Sequence, residues 1–279
     1  MIKDLLVCLE GSPSSERATD LAIEIAREQS ARLLGLAIVD EPDIRAGAAT
    51  SIGGASFRQH RDEVLIEEAQ KNVQEYLARF EARCRDAGVR ARVLELRGRP
   101  APKILEEMQS HDLTLIGRRV NFLFETRTED PETRDSVLHR ARKPVIIVPE
   151  VLAPSGPDVL IAFDGSSAAK RAVKAFAESG LAHGRKVHVA SVQDDGEEAW
   201  EMASRGVALL RDLGVAAKPR SVVSALPIAA AILDARRKVG AGLLVTGAYA
   251  PRSRLSELIW GSVTHTLLEE TPVPLFVHH

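Results

Sequence analysis

Length, composition and charge limit what this chain can be. Its 279 residues are enough for two ordinary domains and few for three. The formal net charge is −2 and the charged residues are interspersed, so no overall field would attract nucleic acid or an anionic membrane. No apolar stretch is long enough to span a bilayer, and the run at 5–9 is too short for a signal peptide. We therefore expect a soluble, cytoplasmic protein without a nucleic-acid or membrane partner.

The two cysteines argue against a disulfide scaffold or a zinc site. Cys8 and Cys84 lie far apart in the sequence, and neither has a second cysteine or a histidine at metal-ligand spacing. We expect Cys8 to fill the core of a strand and Cys84 to lie on a helix, and we predict no metal site.

The two halves of the chain carry the same sequence pattern. Each begins with an apolar run that closes in a carboxylate, a glycine and a serine, and each ends with two further matching runs. The matched pairs are 5–12 with 159–166, 113–117 with 243–247, and 143–148 with 271–277. The segment 153–157 between the halves is rich in turn-forming residues. We therefore predict two homologous domains, 1–152 and 157–279.

In the first half, apolar runs alternate with segments of helical periodicity. The runs fall at 5–9, 33–39, 92–96, 113–116 and 145–148, and the helical segments at 14–30, 61–87, 101–110 and 133–141. Residues 43–58, which contain Gly47, Gly53 and Gly54, are predicted to form a mobile surface loop, more typical of a spacer than of a site.

The second half repeats this scheme more compactly and without a glycine-rich loop. Its predicted strands are 158–163, 186–192, 216–222, 242–246 and 273–277, and its predicted helices are 167–180, 196–213, 225–238 and 257–269. Strands rich in Val, Ile and Leu without polar alternation are typical of a parallel sheet covered on both faces. The predicted fold is α/β, with two doubly wound domains, each a five-stranded parallel sheet with helices on both faces.

The ends of the first and fourth strands carry the candidate site of the second half. Ligands of open parallel sheets bind beyond the carboxyl ends of the strands, where the strand order reverses, so we expect Asp164 to lie beside Gly247. The Asp164 carboxylate is suited to ribose hydroxyls or an adenine amine, and the N–H groups and hydroxyl at Gly261 and Ser262 are suited to phosphate oxygens. Both glycines would let a ligand approach the backbone closely.

Two plainer interpretations of these residues stay open. A strand, a glycine-containing loop and a helix also form ordinary chain reversals. Asp164 could simply cap the helix that follows it, a role that is compatible with ligand contact.

These residues resemble the motifs of a known family. Both halves resemble universal stress proteins, and the whole chain resembles their tandem two-domain type, which has Rossmann-like domains. Nucleotide-binding members have an acidic residue closing strand one and the pattern Gly-x2-Gly-x9-Gly-Ser/Thr after strand four. The second half matches these positions with Asp164, Gly247, Gly261 and Ser262. It departs in having Ala250 at the second glycine and ten residues rather than nine between Ala250 and Gly261.

The resemblance implies a ligand and a domain arrangement. It implies ATP or AMP as the ligand, with backbone at Val192 meeting the adenine, and it leaves the need for Mg²⁺ open. It also implies that the two domains pair through their last strands, 145–148 and 273–277. A homodimer stays open.

The first half departs further from the family pattern. Glu10 replaces the aspartate, Arg118 follows the retained Gly117, and Asp135-Ser136 stands where Gly-Ser belongs. A carboxylate at a helix start suits the helix dipole but repels a phosphate at the same place. We therefore expect that the first half does not bind a nucleotide in the family's manner.

No catalytic motif is present, so no catalytic residue is predicted. The sequence lacks GxGxxG, the Walker GxxxxGK[ST], HExxH and GxSxG. The leading hypothesis is a non-enzymatic stress-response or signalling module that binds an adenine nucleotide in its second domain. A second hypothesis is a nucleotide-free protein-interaction scaffold with both sites degenerate, and a third is slow ATP hydrolysis.

Overall fold

The computed structural model describes residues 1–46, 55–120, 122, 131–248 and 262–279. These residues form two compact units. One unit is Lys3–Arg140, and the other is Ala141–His279 together with Met1–Ile2.

The Lys3–Arg140 unit is a parallel sheet with helices between its strands. The strand order is β3-β2-β1-β4, and each of these pairings is parallel. The elements are β1 Asp4–Cys8, α1 Pro13–Gln29, β2 Arg32–Val39, α2 Glu41–Ala46, α3 Ala55–Asp86, β3 Ala91–Arg97, α4 Pro100–Glu107 with a 3-10 turn at Met108–Ser110, β4 Leu113–Gly117 and α5 Pro131–Arg140.

Burial and capping explain why these segments fold as they do. All of β4 and the last four residues of β1 are buried, as expected for parallel strands that are covered by helices. Helix α1 begins where the Ser12 side chain accepts the N–H of Ser15, and Pro13 occupies its first turn. It ends at Ser30, which adopts the left-handed conformation.

The Ala141–His279 unit contains five parallel strands and one antiparallel strand among its described residues. The order is β5-β10-β9-β6-β7-β8, and β5 runs against its neighbour β10. The elements are β5 Val145–Val148, β6 Val159–Ala162, α6 Ser167–Ser179, β7 Val187–Val192, α7 Gly196–Asp212, β8 Ala217–Val222, α8 Ile228–Val239, β9 Leu243–Gly247, α9 Ser262–Glu270 and β10 Leu275–His278.

Helices cover both faces of this second sheet. Gly206 of α7 packs directly against Val189 of β7, while the preceding residue, His188, faces a cleft that α8 also lines. Successive residues of a strand point to opposite faces, so α7 and α8 lie on opposite sides. The predicted α/β, doubly wound fold is therefore confirmed.

The last strands of the two halves pair, as the resemblance implied. In the antiparallel pair of β5 and β10, Ile147 lies opposite Leu275 and Val145 opposite Val277. All four residues of β5 are buried. Both strands belong to the Ala141–His279 unit.

The predicted surface loop at 43–58 is wrong at both ends. Helix α2 extends to Ala46, and α3 begins at Ala55. Helix α2 forms because Asp40 caps it, with the Asp40 carboxylate accepting the Asp43 N–H at 3.1 Å. The segment between the helices, 47–54, lies outside the described residues.

Both cysteines lie where the sequence predicted them. Cys8 is buried in β1, Cys84 is buried on α3, and both are free thiols. Burial raises the pKa of the Cys8 thiol far above its usual range and that of Cys84 to about 11. Neither side chain is therefore a reactive thiolate near neutral pH.

Candidate functional site

Three predicted site residues lie at the carboxyl edge of the second sheet. Strand β6 lies between β7 and β9, with Ala162 opposite Ala190 and Ile161 opposite Val245. Continuing these registers by two residues places Asp164 level with Val192, and Gly247 beside the residue that precedes Asp164. By this register Asp164 and Gly247 lie at the ends of neighbouring strands on the same edge of the sheet, and their joint contact with a ligand stays a prediction.

Asp164 is exposed, and one oxygen of its carboxylate is held in place. Its Oδ1 accepts the Ser166 N–H at 2.9 Å, and no other hydrogen bond or ion pair of this carboxylate occurs within the described part of the chain. The cap of α6 is Ser166, whose Oγ accepts the Ala169 N–H at 3.1 Å. The alternative in which Asp164 caps α6 is therefore wrong, and Oδ2 has no donor among the described residues.

Gly247 has a packing role inside the protein. A Cβ at this position would lie 2.5 Å from the carbonyl carbon of Ala168 and 2.5 Å from the amide nitrogen of Ala169. Both atoms belong to the first turn of α6, so a residue without a Cβ is what lets β9 approach this helix. The Cβ side of Gly247 is filled by the helix and is not open to a ligand.

The remaining predicted site residues fall at or beyond the limit of the described residues. Ala250 and Gly261 lie outside them. Ser262 is the first residue of α9, and its backbone alone is described. The phosphate-binding part of the site stays a prediction.

At the matching edge of the first unit, Glu10 is engaged by its own neighbours. Its Oε2 accepts the Ser12 N–H at 3.2 Å, and its Oε1 accepts the Ser12 hydroxyl at 2.5 Å. Both carboxylate oxygens therefore have protein donors, unlike those of Asp164. Asp135, expected at a helix start, lies one turn inside α5 and accepts Nε–H of Arg134 at 3.0 Å.

Sequence reasoning missed a second difference between the halves. Gly11 and Gly165 make equivalent turns, with φ of 80° and 75°. The ring of Tyr76 on α3 covers Gly11, where a Cβ would lie 2.3 Å from Cζ, and burial raises the pKa of the Tyr76 hydroxyl. At Gly165 the neighbour is instead the sulfur of Met202 on α7. Tyr76 lies in a predicted helix, but nothing in the sequence pairs it with Gly11.

Metal ligation and membrane insertion find no support in the structure. The residues that the structure describes contain no group of three or more His, Cys, Asp and Glu side chains placed to hold a metal ion. Over the same residues, no helix combines the length and apolar character needed to cross a membrane.

Comparison with known proteins decides the family. The sequence model of the universal stress protein family matches residues 1–149 and, separately, residues 157–279. The chain belongs to the universal stress protein family. Because the match occurs twice, it is a tandem member with two family segments.

Individual universal stress proteins resemble the chain in sequence and in fold. Universal stress protein YxiE of Bacillus subtilis (strain 168) is 28% identical over 116 residues, which are 42% of this chain and 77% of that protein. A universal stress protein from Archaeoglobus fulgidus DSM 4304 matches 99% of this chain and 97% of its own, with a TM-score of 0.70 and 19% identity. The universal stress protein from Archaeoglobus fulgidus in complex with dAMP matches 43% of this chain and 95% of its own, with a TM-score of 0.35 and 23% identity.

Proposed function

We propose that this tandem universal stress protein is a non-enzymatic stress-response or signalling module that binds one adenine nucleotide, ATP or AMP, in its second half. The two domains of the module are 1–152 and 157–279. Asp164 binds the ribose hydroxyls, and backbone at Val192 meets the adenine. The phosphates lie along the segment from Gly247 to Ser262, which includes Ala250 and Gly261.

The observation that carries this proposal is the state of the Asp164 carboxylate. It is exposed at the carboxyl edge where the strand order reverses, which is where ligands of open parallel sheets bind. One oxygen is fixed by the Ser166 N–H, so the group is preorganised, and the other oxygen has no donor among the described residues. A carboxylate in this state suits a ribose diol.

The contrast with the first half supports a single site. Both carboxylate oxygens of Glu10 accept hydrogen bonds from Ser12, and the Tyr76 ring covers the adjacent Gly11. A nucleotide there would have to displace bonds that the protein already makes.

Calorimetric titration with ATP, ADP and AMP tests the proposal. The Asp164→Ala variant should lose about tenfold or more in affinity, because a hydrogen bond to a charged group contributes about 1.5–3 kcal/mol. The matched control is Glu10→Ala, which removes the equivalent carboxylate of the first half and should leave the affinity unchanged. Equal binding by the wild type and Asp164→Ala would remove the proposed pocket.

Two other outcomes would favour the other hypotheses. A protein that carries no nucleotide after native purification and shows no thermal shift with ATP would be a protein-interaction scaffold with both sites degenerate. ATP turnover that disappears in Ser262→Ala would indicate slow hydrolysis.

A further inference from the structure

A second candidate site lies on the α8 face of the second sheet, away from the carboxyl-edge residues. It is an open cleft of about 560 Å³ between strands β6, β7 and β8 and helix α8. We call it the β8 cleft, and its polar wall is formed by Lys186, His188, Lys218 and Arg220. Its volume is in the range of small-molecule sites, and Asp164, Val192 and Gly247 do not line it.

The β8 cleft is positively charged, although the chain as a whole is not. Four cationic side chains and two carboxylates line it, an excess of two positive charges: Lys186, Lys218, Arg220 and Lys238 against Asp158 and Asp234. Lys238 is paired with Asp234 at 2.8 Å. For Lys186 and Lys218, no ion-pair partner is present among the described residues.

Arg220 is exposed, and it is oriented by a contact with the buried His188. Its Nε–H donates to Nδ1 of His188 at 3.3 Å, and Nε2 of His188 lies 3.7 Å from Oδ2 of Asp158. His188 is only 5% exposed, and burial and the nearby guanidinium hold its pKa below the usual value. The imidazole is therefore neutral and accepts from Arg220, which leaves both terminal nitrogens of the guanidinium free of that contact.

The first half shows that the fold does not need this polar chain. By strand register, Leu34 occupies the position of His188, because each lies opposite the matching leucine of the first strand, Leu6 or Leu160. The next strand carries Leu94 where the second half has Arg220. The buried His188 is hydrogen-bonded, and the repeat accepts leucine at the same position, so the fold does not require a histidine there.

We propose that the β8 cleft binds a phosphate monoester with an apolar body. The dianionic phosphate lies against Lys218 and Arg220, which are two residues apart on one face of β8 and so about 7 Å apart along the strand. Lys186 adds a third positive charge beside them. The apolar part of the ligand lies against Val222, the next residue on the same face of β8, and against Ala235 and Val239 of α8.

Phenyl phosphate is the probe, and amide chemical shifts of the labelled full chain are the readout. Titration should shift amides of β8 and α8 and should leave those of Asp164 and Gly247 unchanged. Arg220→Gln and, independently, Lys218→Gln should each weaken binding about three- to tenfold. Lys218→Gln should perturb the folded structure less than Arg220→Gln, because it leaves the contact between Arg220 and His188 intact.

The controls distinguish a built site from general attraction to positive charge. Arg92→Gln removes the cation that matches Lys218 in the first half and should not change the affinity. Asp164→Ala should not change it either, so this proposal and the nucleotide proposal fail separately. Equal loss in Arg92→Gln, equal binding of phenol, shifts confined to the carboxyl edge, or no shifts at all would overturn the proposal.

Discussion

At Gly247 and its counterpart Gly117, the absence of a Cβ atom allows a strand to pack closely against a helix. At Gly247 a Cβ would collide with backbone of α6, and at Gly117 it would lie 2.4 Å from Oγ of Ser14 and 2.9 Å from the nitrogen of Ser15. Both glycines end the fourth strand of their half and face the first turn of its first helix. The repeated glycine is thus explained by packing, whether or not a ligand binds.

Gly247→Ala should destabilise the protein by about 1–3 kcal/mol, because backbone atoms cannot move aside as a flexible side chain can. Chemical denaturation at neutral pH measures the change. Gly196→Ala is the control: its Cβ would lie 3.6 Å from Cγ2 of Val223, an ordinary contact, so its stability should change by less than about 0.5 kcal/mol. A Gly247→Ala protein as stable as the wild type would contradict the packing role.

His278 is a titratable group that the fold holds in its neutral form. It lies in β10 opposite Gly247, and its Nδ1 is buried with no hydrogen-bond partner among the residues that the structure describes. Burial, His279 and Arg171 lower its pKa to about 4 from the ordinary value of 6.5. Folding is therefore linked to loss of a proton at this position.

The free energy of unfolding should decrease as the pH falls from about 6.5 towards about 4, since the unfolded chain takes up a proton there that folded His278 excludes. The loss of stability begins near pH 6.5, is complete below about pH 4 and amounts to about 3 kcal/mol. The test compares denaturation of the wild type and His278→Gln across this range. The difference between the two proteins should vary with pH, and a constant difference would show that His278 does not titrate as stated.

At the residue scale, the sequence predicted which residues lie at the carboxyl edge of the sheet, but not which of them caps α6. The match between 159–166 and 5–12 predicted the turn, and register alone brought Asp164 near Gly247. Which of Asp164 and Ser166 caps α6 depends on a choice between two hydrogen bonds of similar energy, which only coordinates show. The chain from Arg220 to His188 was not predictable, because its members lie 32 positions apart.

Helices α1 and α6, the first helix of each half, are both capped at their N-terminus by a serine hydroxyl. Ser12 Oγ accepts the Ser15 N–H, and Ser166 Oγ accepts the Ala169 N–H, both at 3.1 Å. Ser12 also donates to Glu10, a bond without a counterpart at Ser166. The repeated serine therefore has a structural reason in each half.

Ser166→Ala should cost about 1 kcal/mol of stability through the lost cap, and Ser12→Ala should cost at least as much. Thermal unfolding of the purified variants measures both. Ser167→Ala, an exposed position one residue further along α6, is the control and should have little effect. Caps that can be removed without loss of stability would contradict this account of where the helices begin.

At the element scale, periodicity predicted the described strands and helices to within a few residues, apart from α2 and the start of α3. The predicted start of the last helix, at residue 257, lies outside the described residues. Helix α1 is an example: its prediction as 14–30 differs by one residue at each end from Pro13–Gln29. What periodicity could not predict is how α1 meets α3. Glu16 accepts from Arg83 at 2.5 Å and lies 3.2 Å from Arg79, residues that are more than 60 positions away.

Over the whole chain, duplication has produced two halves with the same topology and different chemistry. In the turn after the first strand of each half, both carboxylate oxygens of Glu10 accept hydrogen bonds from the protein, whereas among the described residues only one oxygen of Asp164 does so. The sheet face beneath α8 carries His188 and Arg220 where the first half has leucines. The second half therefore carries both candidate ligand sites.

The stoichiometry of nucleotide binding tests the central claim most directly. Native mass spectrometry of the full chain, stripped of endogenous ligand and then supplied with ATP, counts the bound nucleotides. At an ATP concentration close to the Kd of the wild type, we predict one nucleotide per chain at most for the wild type and for Glu10→Ala, and a several-fold lower occupancy for Asp164→Ala. A nucleotide whose occupancy is unchanged in Asp164→Ala and lost in Glu10→Ala would contradict the assignment of the site to the second half.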